Sequence, residues 1–168
     1  MDTFLAIVSK RDQRQYAGRE IPEEVLERIL QAGRLAGSAM NRQPWRFVVL
    51  GSRELREQVA ETVYAPGNVL GSKLAIALVV TGSSGFDAGR AAQNMMLAAW
   101  NDGVTSCPNG MPDRAKTGAL IALGEGEEVA MVLSFGYPAS ERHPEDRAAD
   151  EWVSRVKRKA LDELVERR

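Results

Sequence analysis

The stretch SAMNRQPWRF, residues 38–47, decides how the rest of the chain is read. Before it, Pro22 suits a first helical position, and Glu23 and Glu24 favour the positive end of a helix. Val25, Leu26, Ile29, Leu30 and Leu35 then fall on one broad stripe, and Gly37–Ser38 stops the helix. After it, Arg46–Leu50 reads as a strand in which Phe47-Val48-Val49-Leu50 is a short buried run. An amphipathic helix feeding a buried strand argues for a mixed α and β domain.

Moving outward, Thr3–Lys10 reads as an opening helix that ends in the basic cluster Lys10, Arg11 and Arg14. Ser52 caps a third helix, with Leu55, Val59 and Val63 on one face. Tyr64–Ser72 is a Gly/Pro loop, and Ala75–Thr81 is a second buried strand. Ser84–Asp102 is the most distinctive helix. Ser84 and Asp87 suggest a capping box, and Gly103 fits the position just past the last turn. Its Ala88, Ala91, Ala92, Met95, Met96, Ala98, Ala99 and Trp100 leave little polar surface, which places it in a core or at a subunit interface. Val104–Cys107 and Val129–Phe135 read as further strands, and Ser140–Asp150 as a charged excursion over the surface. Trp152–Val165 reads as a closing helix with a basic knot at Arg155, Lys157, Arg158 and Lys159.

At 168 residues the chain fits one domain, 1–168, large enough to fold without staples. One cysteine and one histidine exclude a disulfide framework, a Cys-rich zinc site and a multi-histidine metal site, so no metal is expected. A balance of 22 basic and 23 acidic side chains gives no global field toward nucleic acid or a membrane. The run Leu74–Val80 is far shorter than the ~18–20 residues of a spanning helix, and Met1–Lys10 lacks the features of a signal peptide. A free thiol suits a reducing compartment, so a cytoplasmic location is expected. Gly124-Glu125-Gly126 lacks the third glycine of a dinucleotide loop and precedes a strand, so it reads as a surface turn. Cys107 reads as a small core residue and His143 as a solvated one.

The two basic clusters, Lys10–Arg14 and Arg155–Arg158, admit two readings. They are either solvated faces or a phosphate site, since the planar arginine fork pairs with two oxygens at once. Together with Lys10–Arg14, the pattern Ser38-Ala39-Met40-Asn41-Arg42-Gln43-Pro44-Trp45-Arg46-Phe47 closely resembles the FMN-dependent nitroreductase family. The resemblance continues in the same order at Ala91–Ala99, at Gly103–Cys107, at Val132–Pro138 and at Arg158–Val165.

The resemblance implies a nitroreductase-like α+β fold: a three-layer sandwich with a mixed, mostly antiparallel sheet flanked by helices. It further implies an intertwined homodimer with FMN at the interface. Lys10, Arg11, Arg14 and Arg158 then match the basic contacts to phosphate and ribityl chain. Asp12 stands where a serine is common and must turn away or pair with Arg11 or Arg14. Gly37, Ser38, Ala39 and Met40 match the loop that reaches the partner's flavin, with Gly37 in place of a usual proline. Asn68 matches an asparagine at the isoalloxazine edge. Pro108, Asn109 and Gly110 match the segment against the ring, where N–H groups of Asn109 or Gly110 stabilise the electron-rich reduced flavin. Pro108 stands where many members carry an aromatic, and Ala160 where proline often follows the basic pair.

The implied activity passes hydride from NADH or NADPH through FMN to a small-molecule acceptor, a flat electron-poor nitroaromatic or quinone. No catalytic side chain is needed, because the cofactor carries the chemistry. The alternatives are a dehalogenating or flavin-cleaving member of the superfamily, and a carrier or sensor that binds FMN without turnover. The short segment between Gly110 and Val129 implies a shallow, open pocket.

Overall fold

The computed structural model describes residues 1–82 and 85–168. They form two compact units: Arg11–Arg142, and a smaller one made of Met1–Lys10 with His143–Arg168.

The larger unit is built on a four-stranded sheet of β1 (Trp45–Val49), β2 (Leu74–Thr81), β3 (Thr105–Asn109) and β4 (Glu127–Gly136). The order is β1-β2-β4-β3, and every pairing in it is antiparallel. The parallel element is an isolated bridge between Asp12 and Ser106, which lays the basic segment beside β3. Strand β2 is buried on both faces from Leu74 to Val80. Alternation then sends Leu74, Ile76, Leu78 and Val80 into one core and Ala75, Ala77 and Val79 into another.

Two helices cover the first face, α2 (Glu23–Arg34) and α5 (Gly85–Asn101). They cross closely because Gly33 leaves room for Phe47 and Met95: a β-carbon there would stand 2.7 and 2.8 Å from them. Three helices lie on the second face, α3 (Arg53–Ala60), α4 (Pro66–Leu70) and α6 (Arg114–Leu120). The outcome within this unit is helix, sheet, helix, the three-layer α+β arrangement expected.

Several local expectations need correction. The Tyr64–Ser72 segment contains a helix, α4, because Pro66 occupies its first turn and Val69 is drawn fully into the core. Only Leu50 of the run Phe47–Leu50 is buried; Phe47 and Val48 are half-buried and Val49 is exposed, since β1 is an edge strand. Leu35 leaves the stripe: α2 ends at Arg34, and Leu35 is exposed. Helix α5 is not apolar all round. It buries Ala88, Ala91, Ala92, Met95, Met96, Ala99 and Trp100, and it exposes Phe86, Gly89, Arg90 and Gln93. The capping box of Ser84 lies outside the described residues, while Gly103 follows the last turn at φ +74° as expected.

In the smaller unit, α1 (Thr3–Ser9) is capped by Asp2, whose carboxylate accepts from the Leu5 N–H at 3.0 Å. It packs against α7 (Ala149–Arg155). Trp152 donates its indole N–H to the Pro144 carbonyl at 2.9 Å, with the Arg147 guanidinium over its ring. The closing helix is shorter than its propensity implied. It ends where Val156 turns extended, and only a 3₁₀ turn at Leu161–Glu163 follows. Its apolar Leu161, Leu164 and Val165 stay exposed, so burial does not reinforce helix there. No helix among the described residues is long and apolar enough to cross a membrane.

Candidate functional site

Strand β3 organises the site. At its start, Gln13 donates its N–H to the Ser106 carbonyl at 3.1 Å, and Asp12 bridges Ser106. This fixes Arg11–Arg14 along the strand, with Arg14 exposed and Arg11 half-buried. At its far end lie Pro108, Asn109 and, just beyond, Gly110. Ser106 to Asn109 is three residues, about 10 Å of extended chain. A basic segment and an amide-bearing segment thus lie along one strand.

Asn68 arrives from α4 to meet that second segment. The chain entering α4 is pinned when Tyr64 donates its N–H to the Gly110 carbonyl at 3.0 Å. Asn68 is buried and donates through Nδ2 to Asn109 Oδ1 at 3.0 Å, with Cys107 Sγ at 3.8 Å. Two predicted residues from distant parts of the chain are therefore in direct contact. Pro108 turns the other way, as alternation requires. It lines an apolar cavity of about 380 Å³ beside α5, together with Leu78, Met96 and Met131.

Behind Asn109 stand residues that the sequence reading did not single out for the site. Asn109 Nδ2 lies 3.0 Å from the Cys107 carbonyl, 3.2 Å from the Val132 carbonyl and 3.1 Å from Ser134 Oγ. Ser134 donates to the Cys107 carbonyl at 3.2 Å, and the Tyr16 hydroxyl lies 3.0 Å from Ser134 Oγ. Burial pushes the Tyr16 phenol up to about 12, so it is neutral and able to donate. The Tyr16 ring sits directly on Gly136, where a β-carbon would stand 2.7 Å from it. The available signal was a polar Ser134 in the otherwise apolar run Val129–Phe135, with Gly136 two residues further on.

The 37–43 loop is separate from this network. Ser38 Oγ accepts from the Gln43 N–H at 2.8 Å, and Asp87 of α5 accepts from the Ala39 N–H at 3.2 Å. Met40, Asn41 and Gln43 all adopt positive φ near +50°, a costly conformation that these contacts hold in place. Gly37 lies under the Arg90 guanidinium, which occupies the space a β-carbon would need. Met40 is 77% exposed, an unusual place for a large apolar side chain. Lys10 closes α1 in the smaller unit, and Arg158 is an exposed residue of the same unit. Cys107 is buried and His143 exposed, as expected, and Gly124–Gly126 forms the turn into β4.

Comparison with known proteins agrees with this architecture. A curated relative from Archaeoglobus fulgidus, provisionally named an NADH dehydrogenase/NAD(P)H nitroreductase, is 32% identical over 168 aligned positions. That match covers 90% of this chain and 95% of the relative. A crystal structure from Bacteroides thetaiotaomicron with the same provisional name superposes with a TM-score of 0.83 at 22% identity, covering 99% of this chain and 98% of that one. An FMN-dependent nitroreductase from Clostridium difficile superposes with a TM-score of 0.76 at 22% identity, covering 96% of this chain and all of that one. The Nitroreductase family profile matches residues 7–78 and 83–137, which take in the basic segment, the 37–43 loop, Asn68 and all of β3, and the chain belongs to that family.

Proposed function

We propose that the protein is an FMN-dependent oxidoreductase that uses NADH or NADPH. The observation that carries the reading is the pairing along β3: Arg11–Arg14 beside Ser106, and the Asn68–Asn109 amides about 10 Å further on. An anionic tail and a polar ring edge joined by a flexible chain fit such an arrangement. The chemistry FMN supplies when bound is transfer of two electrons from a nicotinamide to a flat, electron-poor acceptor, a nitroaromatic or quinone.

The chain's own residues bind and orient. Arg11 and Arg14 pair with phosphate through charge-assisted hydrogen bonds, and the family resemblance gives Lys10 and Arg158 the same task. Asp12, set among these residues by its backbone bridge to Ser106, turns its carboxylate away from the phosphate or pairs it with Arg11 or Arg14. Asn68 meets the ring edge, and peptide N–H groups of Asn109 and Gly110 donate where negative charge gathers. The protein works as a cytoplasmic homodimer, with 1–168 acting as one FMN-binding domain. Gly37, Ser38, Ala39 and Met40 reach the partner's cofactor. The exposure of Met40 and the contacts that hold its strained loop support that assignment.

The test is the visible spectrum of the purified protein before and after anaerobic addition of NADH or NADPH. A flavin spectrum that bleaches with either donor, and steady-state kinetics with parallel lines, are expected. Bound flavin that stays oxidised with both donors leaves a carrier or sensor instead. Failure of the chain to bind FMN at all overturns the reading.

A further inference from the structure

The amide orientations around Asn109 follow from which neighbours can only accept. The Cys107 and Val132 carbonyls have no hydrogen to give, so the nitrogen of the Asn109 amide must face them. Its oxygen is therefore turned toward Asn68. An oxygen there can only accept, so Asn68 must present its nitrogen to it, at 3.0 Å. The Asn68 oxygen is then left on the opposite arm of its amide, and no donor among the described residues reaches it.

Two further groups hold Asn109 in this pose. Ser134 Oγ lies 3.1 Å from the same nitrogen and shares its two hydrogens with the carbonyls, and the Ser134 hydrogen is directed to the Cys107 carbonyl. With that hydrogen committed, the 3.0 Å contact to Tyr16 requires the phenol to donate. Tyr16 is seated in turn by its close approach to Gly136.

We propose that the Asn109 side chain, braced by Ser134 and Tyr16, is a specificity-determining positioning residue. It turns the Asn68 carbonyl oxygen out as a hydrogen-bond acceptor, and so selects a ring edge that carries an N–H donor. This rests on the FMN reading, with Asn68 at the flavin edge, and adds a side-chain role for Asn109 beyond its peptide group. A site arranged to hydrogen-bond a ligand group discriminates against the analogue that lacks it, because the analogue forfeits that bond to the Asn68 oxygen.

The experiment uses flavin-stripped full-length protein, titrated with FMN and with an FMN analogue methylated at the N–H of its pyrimidine edge. Quenching of flavin fluorescence gives each Kd. Wild type should prefer FMN by at least about tenfold, equal to about 1.4 kcal/mol. In Asn109→Ala the Asn68 amide is free to turn, and the ratio should fall toward one. Ser134→Ala and Tyr16→Phe keep the two carbonyl contacts and should each lower the ratio partway. These milder variants carry the test if Asn109→Ala does not fold. A role in stability alone would weaken both ligands equally and leave the ratio unchanged, and that result overturns the proposal. Wild type that binds both flavins equally also overturns it. Wild type that binds neither overturns the FMN reading itself, an outcome distinct from binding without discrimination.

Discussion

The two faces of the one sheet are stabilised by different physics. Toward α2 and α5, Ile76, Leu78, Leu133 and Phe135 meet Ile29, Met95 and Ala99, and the contact is almost entirely hydrocarbon. Toward α3, α4 and α6, β2 presents the small side chains Ala75, Ala77 and Val79. That face also holds buried polar groups: Thr62 against Thr117 at 2.7 Å, Asn68 against Asn109, and Ser134. Dispersion and burial have no preferred direction, so the first face tolerates exchange of one hydrocarbon shape for another. Hydrogen bonds do have one, so the second face fixes the orientation of individual amides and hydroxyls. The candidate site sits where direction matters.

Emptying the hydrocarbon face should have the largest effect. Phe135 is fully buried, and Phe135→Ala removes its ring from contact with the α2/α5 core. A loss of about 3–5 kcal/mol is expected, from lost transfer energy plus the cavity left behind. The measurement is the urea midpoint at constant m-value. A loss below about 1 kcal/mol would mean that this face is far less tightly packed than its burial indicates.

A smaller effect separates the two kinds of face more sharply. Thr62 Oγ1 lies 2.7 Å from Thr117 Oγ1 and donates to the Val59 carbonyl at 2.7 Å. Thr62→Val alone should cost about 1–2 kcal/mol, because the buried Thr117 hydroxyl loses its acceptor, and Thr117→Val less, because Thr62 still donates to the Val59 carbonyl. The double variant should cost clearly less than the sum, since two apolar groups of the same shape leave no unpaired hydroxyl between them. Strict additivity in a double-mutant cycle would place this pair with the hydrocarbon face, where direction is irrelevant.

The same division explains what the sequence made legible. Burial patterns are written in residue type, so β2, the α2 stripe and the inner side of α5 could be read directly. The basic segment was visible as a cluster, but only the ordered resemblance chose between a solvated face and a phosphate site, and Asn109 came into view only through it, because charge and amide groups have no periodicity of their own. Helix α4 was missed because five residues with two helix-disfavouring members, Pro66 and Gly67, carry too little local signal, and Val69 is held by tertiary packing. Tyr16 and Ser134 escaped notice for another reason. Their importance lies in a contact across 118 positions of sequence, which no local pattern encodes.

The smallest effect belongs to neither face but to the end of the sheet, where charge acts near solvent. Arg46 of β1 makes a two-pronged pair with Glu127 of β4, Nε to Oε1 at 2.7 Å and Nη2 to Oε2 at 2.6 Å. Glu127 Oε2 also accepts from the Gly124 N–H at 2.7 Å, closing the turn that leads into the strand. The Arg46 guanidinium first, and the Gly124 N–H second, lower the Glu127 carboxyl from its ordinary 4.5 to about 2. A carboxyl held low in the folded state binds fewer protons there than in the unfolded chain. Its contribution is therefore present above about pH 4.5 and is lost as the pH falls toward 2. Arg46→Gln should lower the urea midpoint near neutral pH, and the gap from wild type should close progressively over that acid interval. A gap constant from pH 7 to pH 2 would mean that Arg46 acts through the packing of its stem and not through its charge, which would make this edge a third patch of the hydrocarbon kind.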